Sequence, residues 1–449
     1  MALQKKRYYT WLLKAYFRRW KKTILGAIAI SLFTSVAVSA LVFFYIMPLL
    51  ANDELRVGYW GVYRVEDLPD EVVGKMSMGL VKVEADGKIS PAAAKSWEIK
   101  DNKEYTFHLR DDLVFHDGTK FSSKTIPFNF EDVNKEIIDE YTVRYTLKDP
   151  YAPFLAALAE PILLKDLSGL GEYEIKDFEL NAGFVKELRL QNLSGAKEKE
   201  TIVFYPTEEA LKIAFSLGEI DRAENIYSAS LDNKFDLTKW PSVKIEEKTN
   251  EDLIVTIFFN TTDSILSDKR IRQALHYALP ADIPFGKRLY SPIIERSIYF
   301  SKPPNYGISD KELAIEVLET AGGAPEKLNI KVTGELEDVG KLVQSSWKEI
   351  GVDSEIEVVD DLPQNFQVLI YEMRVPTDPD QYILWHSDQI NNIVGYKNLR
   401  IDKLLEDGRS ITDVDERREI YADFQKYLMD DLPASFFYQP KAYRIFRED

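Results

Sequence analysis

Chemistry in a protein needs particular side chains at particular spacings, and here most of the usual sets are missing. Cysteine is absent, which removes disulfides, thiolate metal sites, catalytic thiols and a lipidated cysteine anchor. The four histidines, His108, His116, His276 and His386, are scattered and form no His-x-x-x-His pair. No metal site is therefore expected, and no cofactor. His116-Asp117 reads as part of an HDGT turn rather than a dyad. No Gly-x-Ser-x-Gly elbow accompanies a Ser-His-Asp set, and no P-loop is present. Asp360-Asp361 and Asp430-Asp431 are sequence neighbours that suit a solvated face, not a glycosidase pair. The expectation is a protein that is not an enzyme.

What remains is chemistry of recognition. An extended polar ligand needs aromatic walls, amide-reading groups and a few placed charges. Residues 371–396 hold such a set: Glu372, Arg374, Asp378, Tyr382, Trp385, Asn391, Asn392 and Tyr396. In a cleft, Trp385 and Tyr382 would act as walls, Arg374 would take a carboxylate, and Asn391 and Asn392 would bond amides. Turn structure and ordinary core aromatics are the competing reading. Tyr59 and Trp60 follow the first strand, where facing a cleft and burial beneath a sheet are both open.

These residues must be positioned by folded elements, and the chain has the periodicities to supply them. In 104–110, Tyr105, Phe107 and Leu109 share a strand face, as do Val143, Tyr145 and Leu147 in 142–147. Helical stripes run through 268–279, 311–321, 338–350 and 413–428, with strands expected at 352–359, 367–375 and 435–447. The pattern predicts an α/β protein with a β-rich first part and an α/β second part, and ligand sites commonly lie between such lobes.

The charge is divided in two. Lys and Arg total 57 against 74 Asp and Glu, a net of −17 that disfavours nucleic acid as partner. Residues 1–22 hold eight bases and no acid, which leaves 49 bases against 74 acids elsewhere. Between them, residues 23–52 carry no charge. The apolar run 24–47 would be about 36 Å long as a helix, enough to cross a bilayer. The reading is a cytoplasmic basic segment (1–22), a transmembrane signal-anchor (23–50), and an external remainder. A cleaved signal peptide, ending at the small residues Val38-Ser39-Ala40, is the alternative.

Several stretches resemble, in order, the oligopeptide- and dipeptide-binding proteins of ABC importers, the family 5 extracellular solute-binding proteins. They are GLVKVEADGKISPAAAKSWEI (79–99), YTFHLRDDLVFHDGTKFSSKTIPFNFEDV (105–133), YTVRYTLKDPYAPFLAALAEP (141–161) and Gly169-Leu170-Gly171-Glu172-Tyr173. LGEIDRA (217–223), RIRQALHYAL (270–279), DPDQYILWHSDQINNIVGYKNLRIDKLL (378–405) and LPASFFYQPKAYRIF (432–446) complete the set. The resemblance implies a two-lobed periplasmic-binding-protein-like fold with a hinge, preceded here by the one transmembrane helix. Lobe I would comprise 51–258 and 432–449, and lobe II 259–431. It further implies a monomer that captures a peptide or similar polar solute and delivers it to an ABC permease in the membrane. A surface sensor or chaperone using the same fold is the alternative.

Two departures bear on function. The chain is short between Val133 and Tyr141 and abbreviated over 55–78, so lobe I is expected to be trimmed. The position where peptide-binding relatives carry an acid for the ligand's amino group holds Val375, so recognition of a free peptide N-terminus is not carried over.

Overall fold

The computed structural model describes residues 2–41, 54–165, 167–194, 199–228, 230–232, 235–375 and 378–447. The chain divides into two units, 1–54 and 55–449. The first contains one 40-residue helix, Ala2–Leu41, with non-helical backbone at Trp20 (φ −111°). That kink falls where the basic segment gives way to the apolar run. Among the described residues no helix is long and apolar enough to cross a membrane. The expected span thus has no support from the described helix, and its last part, 42–47, lies outside the described residues.

The second unit is organised by a twelve-stranded mixed sheet. Its strands run in the order Ser354–Val359, Leu328–Thr333, Val368–Arg374, Leu253–Phe259, Ala434–Arg447, Arg222–Ile226, Glu54–Trp60, Lys199–Tyr205, Phe184–Asn192 and Tyr173–Asn181. Val243–Thr249 and Gly286–Arg288 also pair with Ala434–Arg447. Leu253–Phe259 reads LIVTIFF, nearly unbroken in hydrophobicity, because both its faces are covered. Val255, Ile257 and Phe259 pack against the helices Lys269–Tyr277, Lys311–Thr320 and Glu337–Lys348. Ile254 and Phe258 pack on the other face, against Leu399–Ser410 and Val414–Asp431.

The helices begin where the sequence offers a cap. Asp268 accepts from Arg270 N–H, Asp310 from Leu313 N–H, and Asp413 from Asp415 and Glu416 N–H. Each satisfies a backbone donor the first helical turn leaves free.

A separate four-stranded antiparallel sheet joins Ala94–Lys100, Glu104–Leu109, Thr142–Leu147 and Val133–Asp139 around its own core. The expected alternation over 104–109 and 142–147 is present: Tyr105, Phe107, Leu109, Val143, Tyr145 and Leu147 are all buried. The short stretch after Val133 is itself a strand, hairpinned onto Thr142–Leu147. HDGT forms its turn, with Gly118 at φ +87° and Asp117 accepting from Thr119 N–H. His116 ties that turn to the segment 169–171: its Nδ1 accepts from Gly169 N–H, and its Nε2 lies 2.9 Å from the Gly171 carbonyl oxygen.

The strand Ala434–Arg447 belongs to both halves of the large sheet. Residues 434–438 pair with Leu253–Phe259, and residues 441–447 pair with Val243–Thr249. Those two partners are consecutive along the chain, so two crossings between the halves, near 250–252 and 438–441, lie side by side.

Candidate functional site

At these crossings the two halves leave a cleft between them. Glu54–Trp60 delivers two aromatics to it, and strand alternation sends them opposite ways. Tyr59 is 2% exposed, packs on Phe204, and lines a cavity of about 400 Å³. Its hydroxyl is buried without a hydrogen-bond partner, and burial pushes its phenol well above the usual range. Trp60 donates its indole N–H to the Asn225 carbonyl (2.7 Å) and meets the Tyr227 ring edge-on, 5.5 Å between centroids. The strand stops at Gly61, whose φ of +122° and contact with the Tyr63 ring leave no room for a side chain.

From the other half, Val368–Arg374 brings Glu372 and Arg374, two residues apart and therefore on one face. The Tyr227 hydroxyl donates to Glu372 Oε1 across the cleft at 2.8 Å. Burial raises the Glu372 carboxyl above its ordinary value, the Tyr227 hydrogen bond opposes this, and nearby Glu335 adds to it. Burial, then the Glu372 charge, pushes the Tyr227 phenol up. Arg374 reaches over to Asp70, at the start of the helix Asp70–Met76, at 3.5 Å.

The cleft continues on both sides. A second cavity of about 340 Å³ shares Trp60, Tyr227 and Glu372 with the first. A third, of about 390 Å³, shares Asp70, Glu251, Asp252 and Arg296, and includes Val375. The arrangement can hold an elongated solute between aromatic walls and charges of both signs. Among the described residues that line it, no nucleophile is paired with a base. The Ser435 hydroxyl lies 2.7 Å from His276 Nδ1, but both side chains are fully buried. Among the described residues, no three His, Cys, Asp or Glu side chains gather to hold a metal ion.

Four of the ten residues singled out in the sequence, Tyr59, Trp60, Glu372 and Arg374, therefore line one cavity. The other six do not line it, and five of them use their polar or aromatic groups within the fold. Asp378 pairs with both terminal nitrogens of the buried Arg417. Burial pulls that guanidinium down, but the Asp378 hydrogen bonds and charge outweigh it and hold it above its usual value. Tyr382 is stacked on His386 at 4.1 Å and lies beneath the Arg409 guanidinium at 4.0 Å. Trp385 is core, packed on Phe258 and Phe436, its indole N–H given to Gln381. Asn391 is exposed. Asn392 donates to the Tyr396 carbonyl and accepts from Tyr396 N–H, closing a turn. The Tyr396 hydroxyl donates to Asp431 at 2.6 Å.

Tyr227, Lys248, Asn250, Glu251, Asp252 and Arg296 also line the first cavity and were not anticipated. The run Asn250-Glu251-Asp252 between two strand patterns was the available signal, since such a run marks a turn at which a crossing can occur. Tyr227 and Arg296 sit in irregular segments that carry no periodic signal.

Comparisons with known proteins bear on this geometry. The model for bacterial extracellular solute-binding proteins, family 5 Middle, matches residues 88–138 and 132–392. The probable D,D-dipeptide-binding periplasmic protein of Escherichia coli (strain K12) is 22% identical, over 78% of this chain and 79% of its own. The periplasmic oligopeptide-binding protein of Salmonella typhimurium (strain LT2) is 24% identical, over 85% of each. The crystal structure of NikZ from Campylobacter jejuni in complex with Ni(L-His) superposes with a TM-score of 0.70 at 22% identity. It covers 88% of this chain and 94% of that one.

Proposed function

Since the chain belongs to the family 5 bacterial extracellular solute-binding proteins, we propose that it captures a peptide or comparable polar solute in the cleft at the strand crossings and delivers it to an ABC permease. The observation that carries this reading is the meeting of Trp60 and Tyr227 from one half with Glu372 from the other around contiguous cavities. Two lobes joined by paired chain crossings, and meeting elsewhere through contacts such as Ile298 N–H to the Asp86 carbonyl and Ala152 N–H to the Arg409 carbonyl, can open and close by a hinge, with ligand favouring the closed state.

The lobes we assign follow the expected division, with lobe I as 51–258 plus 432–449 and lobe II as 259–431, adjusted at its edges. Leu253–Phe259 pairs along its length with Val368–Arg374, which supports moving the exchange points to 250–252 and 438–441. The protein acts as a monomer and catalyses no reaction. It is tethered by residues 24–47, with 1–22 in the cytoplasm and the binding unit outside; the support is the uncharged run 23–52 behind eight bases.

Mass spectrometry of solute released from the purified full-length protein tests the reading. The expected result is a co-purifying peptide, and a rise in thermal midpoint on adding peptide mixtures. A rise confined to nickel–histidine chelate would redirect the ligand to the class seen with NikZ. Empty protein unmoved by peptides, sugars and metal chelates would sink the proposal.

A further inference from the structure

The cleft treats its acids unequally. In the cavity of about 400 Å³, Asp70 pairs with Arg374 at 3.5 Å, Glu71 with Arg444 at 3.9 Å, and Asp252 with Arg296 at 3.7 Å; Glu251 also meets Arg296. Glu372 is the exception. Among the described residues, its ion pairs within 4.0 Å number none, and its recorded hydrogen-bond donor is the neutral Tyr227 hydroxyl. A half-buried carboxylate without a counter-charge is costly, so its environment is complete only when a cation arrives.

Glu372 stands at the mouth of the neighbouring cavity of about 340 Å³, and the walls there say which cation fits. Trp60, Tyr227, Phe285 and Tyr438 supply aromatic surface, and Leu336 and Val339 add aliphatic surface. Glu335 and Asp338 are the other acids of the lining, of which Asp338 is paired with Lys341 at 3.0 Å, and Lys441, the basic residue of the lining, is engaged by Glu247 at 3.0 Å. An apolar, aromatic chamber with two unneutralised carboxylates suits a long aliphatic stem ending in an ammonium or guanidinium. Such a group would also compete with Tyr227 for Glu372, and so report directly on the contact between the lobes.

We propose that the Glu372–Glu335 chamber is a specificity pocket for a basic side chain, so that the solute is a peptide carrying lysine or arginine. This rests on the cleft being the solute site. The test uses full-length protein and three pentapeptides, Ala-Ala-Lys-Ala-Ala and its norleucine and glutamate counterparts, with Kd measured by calorimetry. The lysine peptide is expected to bind about tenfold more tightly than the norleucine peptide, with the glutamate peptide weakest. Glu372→Gln keeps the shape and an acceptor for the Tyr227 hydroxyl, and is expected to bring the lysine-to-norleucine ratio close to unity, whatever it does to the affinity the two peptides share.

Equal affinity for lysine and norleucine, or a ratio that survives Glu372→Gln, would overturn the pocket while leaving the cleft reading intact. If none of the three binds, the pocket falls, and the cleft reading is decided separately by the solute released from the purified protein. Should Glu372→Gln fail to fold, Glu335→Gln on the exposed side replaces it. A several-fold drop in the ratio then supports the pocket, and an unchanged ratio overturns it.

Discussion

Burial acts on His276 and Glu372 with opposite consequences for proton binding. His276 is fully buried, and loss of solvation lowers it to about 3, with the Arg288 charge pushing the same way. The unfolded chain, with an ordinary imidazole near pKa 6.5, therefore binds a proton that the folded chain refuses between about pH 3 and 6.5. Stability rises with pH through that window and is flat above it, so acid costs the fold something on this account. His276→Asn is expected to be less stable at pH 7 by about 1–3 kcal/mol, from lost packing and an altered bond to Ser435. Its deficit should shrink towards pH 4, and urea unfolding at the two pH values reads this directly; an unchanged deficit would refute it. Glu372 has the reverse sign: its raised carboxyl binds a proton the unfolded chain has released, so stability falls as pH climbs past the ordinary glutamate range.

At the scale of elements, the sequence was informative where one face of a strand must be dry. Alternation announced 104–109 and 142–147, whereas Leu253–Phe259, dry on both faces, carries no alternation and was not among the expected strands. Composition could not say whether polar side chains in 378–396 face a ligand or each other. Asp378, Asn392 and Tyr396 look like binding groups as a string of residue types, yet each is satisfied by Arg417, by a turn or by Asp431. Glu372, by contrast, was legible because it lies near the end of a strand whose earlier residues are core, so the chain carries it to the sheet's edge. The Asp378–Arg417 pair holds the segment after Val368–Arg374 to the helix Val414–Asp431. Arg417 is 4% exposed in its side chain, so removing its partner strands a buried charge. Asp378→Ala is expected to cost about 3–5 kcal/mol, seen as a lowered denaturation midpoint; a loss under about 1 kcal/mol would show the pair to be worth no more than a surface bridge.

For the whole molecule, the charge division is the feature that sequence alone expressed most fully. Eight bases precede a run of 30 uncharged residues, and the rest of the chain is acidic. If 24–47 is an anchor, the full-length protein should remain with membranes after an alkaline carbonate wash, and peptides from 1–22 should be recovered from the mature form. A soluble chain beginning at Leu41 would instead mean cleavage after Ala40. The two-lobed division was visible through ordered motifs rather than through periodicity. Where the chain crosses between the halves of the large sheet, near 250–252 and 438–441, depends on which distant strands pair.

The strand Ala434–Arg447 has a temporal meaning as well as a spatial one. Every other strand of the large sheet precedes it along the chain, so all of them leave the ribosome first. Until it emerges, the edges of Leu253–Phe259 and Arg222–Ile226 that it covers stay open. Neither half of the sheet is complete before this strand is made, and it closes both through contacts of very high sequence separation. Such an order favours slow, late completion of the fold.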